Sequence, residues 1–309
     1  LNAPSHESLD DAQFRARHVG SSEVSALFDT CPYLTKFELW HRKKGNIATP
    51  AFDVIGPDGT PDDERIYWGI RLEGAILEAA AERYGYTDIE RNPRLSNGNG
   101  LGAHPDALAT CPQRGRGYVE IKMADWLVRK QWGDEPPAHY LLQSQAGQGL
   151  ANVEWGDVLV LVGGNRLERF CYDFRPKIYA EIERRVADFW QSIEANDPPP
   201  ADYTRDLGTI TELYREGTDE TVDLTADNLA HEAAAAFLFA KEARLDAEKR
   251  EDAAKAELLD KLGAASVALL NGFTVRATTV AAVPERVAEP GEIIRGRRAY
   301  RRLTVKELR

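Results

Sequence analysis

The sequence predicts an α/β fold: a mixed central sheet flanked by helices, followed by a long C-terminal helix and a small β-hairpin. Three observations predict it. Segments whose apolar residues recur every three to four positions interleave with segments that alternate every second position. Turn residues separate them at short intervals, Pro112, Gly115 and Gly117 in one place and Gly163-Gly164-Asn165 in another. Asp197-Pro198-Pro199-Pro200 then interrupts the pattern, and residues 226–262 follow as an Ala-, Glu-, Lys- and Leu-rich stretch without Gly or Pro.

Taken in order, helices are expected over 22–28, 37–44 and 67–84. Strands are expected near 102–109 and 118–123, with a tight turn between them. A helix over 137–151 begins at a proline, as the missing N–H there costs nothing. Residues 155–162 and 168–174 read as a hairpin across the Gly-Gly-Asn turn. A helix over 177–195 gathers Ile178, Ile182, Val186, Phe189 and Ile193 on one face. The order α-α-α-β-β-α-β-β-α defines a core of residues 1–200. Residues 201–309 form an extension: an irregular or short-strand segment to 224, a long helix over 226–262, and a hairpin pairing 272–277 with 299–303.

Composition narrows the function classes. The chain has 309 residues and a formal net charge of −11. No stretch approaches the ~18 apolar residues of a membrane helix, and the first residues lack a charged-then-apolar signal pattern. Cys31, Cys111 and Cys171 are three and far apart, which argues against a disulfide framework, a zinc site or an iron–sulfur cluster. No membrane partner and a reducing cytoplasm are therefore expected. The acidic balance, taken alone, argues against nucleic acid, whose phosphates demand local positive charge. Net charge is not charge distribution, and Arg42-Lys43-Lys44, Arg114 with Arg116, Arg129-Lys130 and Arg295 to Arg302 are locally basic. Gly98-Asn99-Gly100 and Gly163-Gly164 are followed by no Lys-Ser/Thr and read as turns rather than phosphate loops.

The residues with chemistry to offer begin at Tyr118-Val119-Glu120-Ile121-Lys122-Met123. Strand alternation puts Tyr118, Glu120 and Lys122 on one face and Val119, Ile121 and Met123 on the other. Glu120 and Lys122 then stand about 6.5–7 Å apart. The preceding strand ends of the turn carry Asp106, which a hairpin of this size can bring beside Glu120. Two carboxylates suit Mg²⁺, with Mn²⁺ as a substitute, and an adjacent lysine can act on an attacking water. The same three residues are also what a charged, solvated strand face looks like. Helix phasing adds Glu73: at about 100° per residue it shares a face with Leu77, Ala80 and Tyr84, whereas Glu78 and Glu82 fall on the other side. An inward carboxylate is costly unless paired or metal-bound; a helix-start glutamate complementing the dipole is the plainer reading.

At this point the residues resemble a known family. Arg15 followed by Val19-Gly20-Ser21-Ser22-Glu23-Val24, Pro32-Tyr33 and Glu38-Leu39-Trp40 comes first. Trp68-Gly69 with Leu72-Glu73 follows, then Pro105-Asp106 with Glu120-Ile121-Lys122, then Tyr140-Leu141-Leu142-Gln143 with Gln145. Over about residues 14–200 the chain resembles the YqaJ-type viral recombinase family, relatives of the phage lambda exonuclease within the PD-(D/E)xK nuclease superfamily. The helix-plus-hairpin extension resembles one that some phage members carry.

The resemblance implies a PD-(D/E)xK nuclease-like sheet and a Mg²⁺-dependent deoxyribonuclease acting on linear double-stranded DNA. It implies 5′-to-3′ exonuclease action that releases 5′-mononucleotides and leaves a 3′ overhang for phage recombination. Asp106, Glu120 and the Ile121 carbonyl would bind metal, Glu73 would support the metal site, Lys122 would act on the water, and Gln143 would lie beside them. Arg15 and Ser22 would contact the 5′-phosphate. Double-stranded DNA ends, a single-strand annealing protein and copies of the chain itself, as a ring-shaped homotrimer, would be the partners, in the host cytoplasm if the chain is phage-encoded. Ala107 departs from the glycine common after Pro-Asp, which alanine can replace where φ is negative. An endonuclease of the same superfamily and a non-enzymatic DNA-binding or scaffold protein that kept the fold remain alternatives. Trp126, Trp132 and Tyr140 near Arg129-Lys130 fit either stacking on a DNA end or core packing.

Overall fold

The computed structural model describes residues 9–50, 55, 61 and 63–278. They divide between two compact units, Leu1–Leu213 and Tyr214–Arg309. The first unit opens with α1 (Leu9–Arg17), β1 (Val19–Gly20), a 3-10 turn (Val24–Phe28), α2 (Lys36–Lys44) and α3 (Glu64–Tyr84). Then come β2 (Thr87–Arg91), β3 (Leu95–Ser96), β4 (Leu101–Ala103), β5 (Ala107–Cys111) and β6 (Gly115–Ala124). The unit closes with α4 (Trp126–Lys130), α5 (Ala138–Ala151), β7 (Trp155–Val162), β8 (Arg166–Asp173), α6 (Pro176–Glu194) and α7 (Leu207–Leu213).

The helices start and stop where local chemistry dictates. The Thr35 hydroxyl accepts from the Glu38 N–H at 2.9 Å to cap α2, and Gly45 ends it in the left-handed region. The Asp63 carboxylate accepts from Arg65 and Ile66 N–H to open α3. The expected helix over 22–28 is only the 3-10 turn, because Ser21, Ser22 and Glu23 form the turn leaving β1.

The main sheet has the order β2-β5-β6-β7-β8. All its pairs are antiparallel except β6 with β7, where Tyr118 pairs with Gly156 and Ala124 with Val162. A parallel pair needs a crossover, and α4 and α5 supply it. On one face Ile76, Leu77 and Ala80 of α3 pack with Val119, Ile121, Trp155 and Leu159. Elsewhere Ile182, Val186 and Phe189 of α6 pack with Leu39, Trp40, Leu101 and Ala146. Helix α5 lies close on β6: a Cβ added to Gly147 would fall 2.0 Å from the Tyr118 ring.

The single strand expected over 102–109 is two strands. β4 joins a small sheet of order β1-β4-β3, and β5 belongs to the main sheet. The break falls at His104-Pro105-Asp106, where proline cannot donate to a ladder. Residues 201–213 belong to the first unit and are tied to its earlier part: the Thr35 hydroxyl donates to Asp206 at 2.5 Å, and Arg205 donates to the Cys31 carbonyl at 2.6 Å.

In the second unit α8 (Asn228–Leu262) is capped by the Asp227 side chain, which accepts from Leu229 and Ala230 N–H. It is largely exposed, with i,i+4 ion pairs such as Arg244–Glu248 and Arg250–Asp246. A hairpin follows, but β10 (Phe273–Arg276) pairs with β9 (Val267–Leu270). The expected partner 299–303 and the basic tail lie outside the described residues. Among the described residues no helix is long and apolar enough to cross a membrane.

Candidate active site

The break at Pro105 positions the first functional side chain. β5 and β6 pair from Ala107 opposite Val119, so the register sets Pro105 opposite Ile121. Asp106 leaves the ladder there, and its Oδ2 accepts from the Ile121 N–H at 2.5 Å. In an extended strand one residue's N–H and C=O point to the same edge, so the Ile121 carbonyl faces the side where Asp106 stands. Ala107 is fully buried and does not adopt positive φ, so alanine fits this position without backbone strain.

Glu120 is the hub. It is buried at 3% exposure, and three donors hold it. Lys122 Nζ and Gln143 Nε2 each donate to Oε1 at 2.5 Å, and the Tyr118 hydroxyl donates to Oε2. The Ser21 side chain lies close to that hydroxyl, which ties the bend after β1 to the site. Lys122 lies 5.5 Å from the Tyr140 ring centroid. Gln143 and Tyr140 are one turn apart on α5, so this helix covers the polar face of β6. Alternation along β6 therefore sends Val119 and Ile121 under α3 and Tyr118, Glu120 and Lys122 under α5.

The electrostatics follow from crowding like charges in a partly buried space. Burial and then the Glu120 charge hold the Asp106 carboxyl well above the usual carboxylate range, against the opposing pull of Lys122. Burial and then Glu120 also push Glu73 up, opposed by Lys122 and Arg91. Burial alone would lower the Lys122 ammonium, but Glu120 and Asp106 outweigh it and hold it above its ordinary range. Burial, with the nearby Lys122 charge, lowers His139.

Asp106, Glu120, Lys122 and Gln143 are thus brought together, and Glu73 lies within their electrostatic reach. Glu73 is half-buried on α3 while Glu78 and Glu82 are exposed, as the helix phasing expects. Ser22 is exposed in the bend next to Ser21. Arg15 sits on α1 beside Phe14, whose ring stacks on His104 at 4.9 Å. Sequence reasoning gave no role to Tyr118, Ser21 or Tyr140 at Glu120 and Lys122. Alternation marks Tyr118 as facing the same way as Glu120, and Tyr140 is three residues before Gln143; nothing local marks Ser21.

Among the described residues no group of three or more His, Cys, Asp or Glu side chains is arranged to hold a metal ion. The donors here are two carboxylates, Asp106 and Glu120, with the Ile121 carbonyl beside them. Holding these carboxylates together in a buried space raises the proton affinity of Asp106 by more than Lys122 offsets, a cost that a further cation would relieve. One or two carboxylates with room for water is the donor set that suits Mg²⁺ or Mn²⁺, and it is too sparse for structural zinc.

Comparison with known proteins adds a family. Residues 12–153 match the YqaJ-like viral recombinase domain. The protein YqaJ of Bacillus subtilis (strain 168), itself described as uncharacterized, is 24% identical over 228 residues. That match covers 69% of this chain and 66% of YqaJ, just under two thirds of its length. Among solved structures, the alkaline exonuclease LHK-Exo from Laribacter hongkongensis is 18% identical, with a TM-score of 0.47 over 65% of this chain and 98% of that one. A phage related exonuclease from Haemophilus somnus 129PT is 12% identical, with a TM-score of 0.39 over 56% of this chain and 82% of that one. Over residues 12–153, then, the chain is similar to the YqaJ-like viral recombinase domain.

Proposed function

We propose that this protein is a metal-dependent deoxyribonuclease that degrades linear double-stranded DNA from its 5′ ends. The observation that carries the reading is the convergence of Asp106, Glu120 and Lys122 at the broken strand edge, with Gln143 fixing Glu120 from α5. The match of residues 12–153 to the YqaJ-like viral recombinase domain supports it.

Asp106, Glu120 and the Ile121 carbonyl would hold Mg²⁺, with Glu73 adding negative charge nearby. A bound Mg²⁺ would lower the pKa of a water and offset charge developing on the phosphoryl oxygens. Lys122 orients that water through its N–H donors, while Glu120 fixes the ammonium in place. Gln143 and Tyr118 hold the Glu120 carboxylate so that neither its position nor its rotamer has to be found during the reaction. The water oxygen bonds to phosphorus and the P–O3′ bond breaks. A water proton passes to solvent, and the departing 3′ oxygen takes one up. The products are a 5′-mononucleotide and a chain with a new 5′-phosphate. Arg15 and Ser22 would receive that phosphate. A single-strand annealing protein would take over the 3′ overhang, and further copies of the chain would enclose the duplex.

The test is digestion of end-labelled duplexes in Mg²⁺. A linear duplex bearing 5′-phosphates should release 5′-mononucleotides progressively from the 5′ ends, and covalently closed circles should survive. Cleavage of the circles would instead establish an endonuclease, and no cleavage of either would remove the enzymatic reading.

A further inference from the structure

The sheet end next to Lys122 carries an aromatic and basic track that the hydrolytic group does not use. β6 ends at Ala124, Asp125 caps the short helix α4 by accepting from the Leu127 N–H, and Trp126 opens that helix at the surface. Trp126 is four positions beyond Lys122, a reach of no more than about 13 Å.

The track is continuous. Lys122 stands over the Tyr140 ring at 5.5 Å, and Tyr140 meets Trp132 edge-on at 5.6 Å. Arg129 lies 5.7 Å from the Trp132 centroid and pairs with Glu168 at 2.6 Å. Glu168 also holds Arg166 at 3.1 Å. Arg166 and Lys130 each lie 5.9 Å from the Trp126 centroid. Trp126, Arg129, Lys130, Arg166 and Glu168 line a pocket of about 240 Å³. Trp126 is 44% exposed, as a core tryptophan would not be.

Three cations face one carboxylate in a chain that is otherwise strongly acidic, so this patch favours an anion. An exposed indole flanked by two cations adds a flat surface for stacking. An unpaired nucleic-acid strand supplies both: charge along its backbone and a π-face on each base. A duplex keeps its interior bases stacked on one another and offers Trp126 a free base face only at its end.

We infer that the Trp126 patch, with Arg129, Lys130 and Arg166, binds an unpaired single strand of DNA beside the hydrolytic group. This rests on the nuclease reading for its substrate, but its binding can be measured apart from hydrolysis. The strand stacks a base on Trp126, and Lys130 and Arg166 meet its phosphates. At 3.4 Å per nucleotide along a strand, the span to Lys122 corresponds to roughly four nucleotides.

The experiment is fluorescence anisotropy of a labelled oligodeoxythymidine strand in EDTA, where no metal supports cleavage. Stacking of one base is worth about 1–3 kcal/mol, so Trp126→Ala should weaken binding roughly 5- to 150-fold. Trp126→Phe should keep most of the affinity. Lys130→Ala combined with Arg166→Ala should weaken binding and flatten its salt dependence. Lys122→Ala, whose hydrolytic role is separate, should leave the Trp126 dependence in place. Wild-type affinity in Trp126→Ala, or no single-strand binding by the wild type, overturns the inference whatever the hydrolysis assay shows. Binding that depends on Trp126 in a protein that cuts no DNA would sustain the site and remove only the nuclease reading.

Discussion

Glu120 shows how much of this site is set by hydrogen bonds to one side chain. Its two oxygens receive Lys122, Gln143 and Tyr118, from the same strand and from α5. A hydrogen bond to a charged group is worth about 1.5–3 kcal/mol, and a misplaced carboxylate misplaces whatever it holds. Gln143→Leu should therefore lower kcat roughly 10-fold or more while KM for linear duplex stays within a factor of a few. An unchanged kcat in steady-state digestion would show that Gln143 is packing alone. Strand alternation set Glu120 and Lys122 on one face, and the hairpin set Asp106 near them. These local signals equally fit a solvated strand face, and the reading of the three as a site came from the ordered motifs of the resemblance. The approach of Ser21 to Tyr118 was not legible in the sequence, since it joins residues almost a hundred positions apart through the packing of the bend after β1.

At the scale of elements, the long periodic segments matched their expected positions closely, as in α3, α5, α6, β6, β7 and α8. What went unread was short or exposed. β1 and β3 have two residues each, too few for any period, and α4 and α7 have five and seven. β2 is mostly exposed and carries no apolar alternation. The split between β4 and β5 was signalled by Pro105, yet its consequence is tertiary: it frees Asp106 to accept from Ile121. Helix α5 meets β6 through Gly147 over the fully buried Tyr118 ring, where a Cβ would sit at 2.0 Å. Overpacking of this kind costs about 1–3 kcal/mol, and 1 kcal/mol moves Tm by about 2–4 °C at this size. Gly147→Ala should thus lower Tm by several degrees and also lower activity, because Tyr118 holds Glu120. Gly149→Ala, which meets Tyr179 at 2.1 Å instead, should lower Tm with activity retained. Equal activity loss in both at a temperature where both are folded would deny Tyr118 its positioning role.

For the molecule as a whole, the acidic net charge and the basic surface beside Lys122 are compatible, because charge acts where it is placed. The first unit carries the sheet, the site and the Trp126 patch. The second is a helix that supports itself through i,i+4 pairs, followed by a hairpin, and residues such as Leu229, Phe239 and Phe273 stay exposed on it. Every hydrolytic step proposed above depends on one group of residues in the first unit. The most direct measurement is the rate at which wild type, Asp106→Ala and Lys122→Ala release acid-soluble nucleotide from 5′-phosphorylated linear duplex in Mg²⁺, each shown folded by its melting curve. The expected result is a loss of about 10²-fold or more in each variant; digestion by either variant at the wild-type rate would place the chemistry elsewhere.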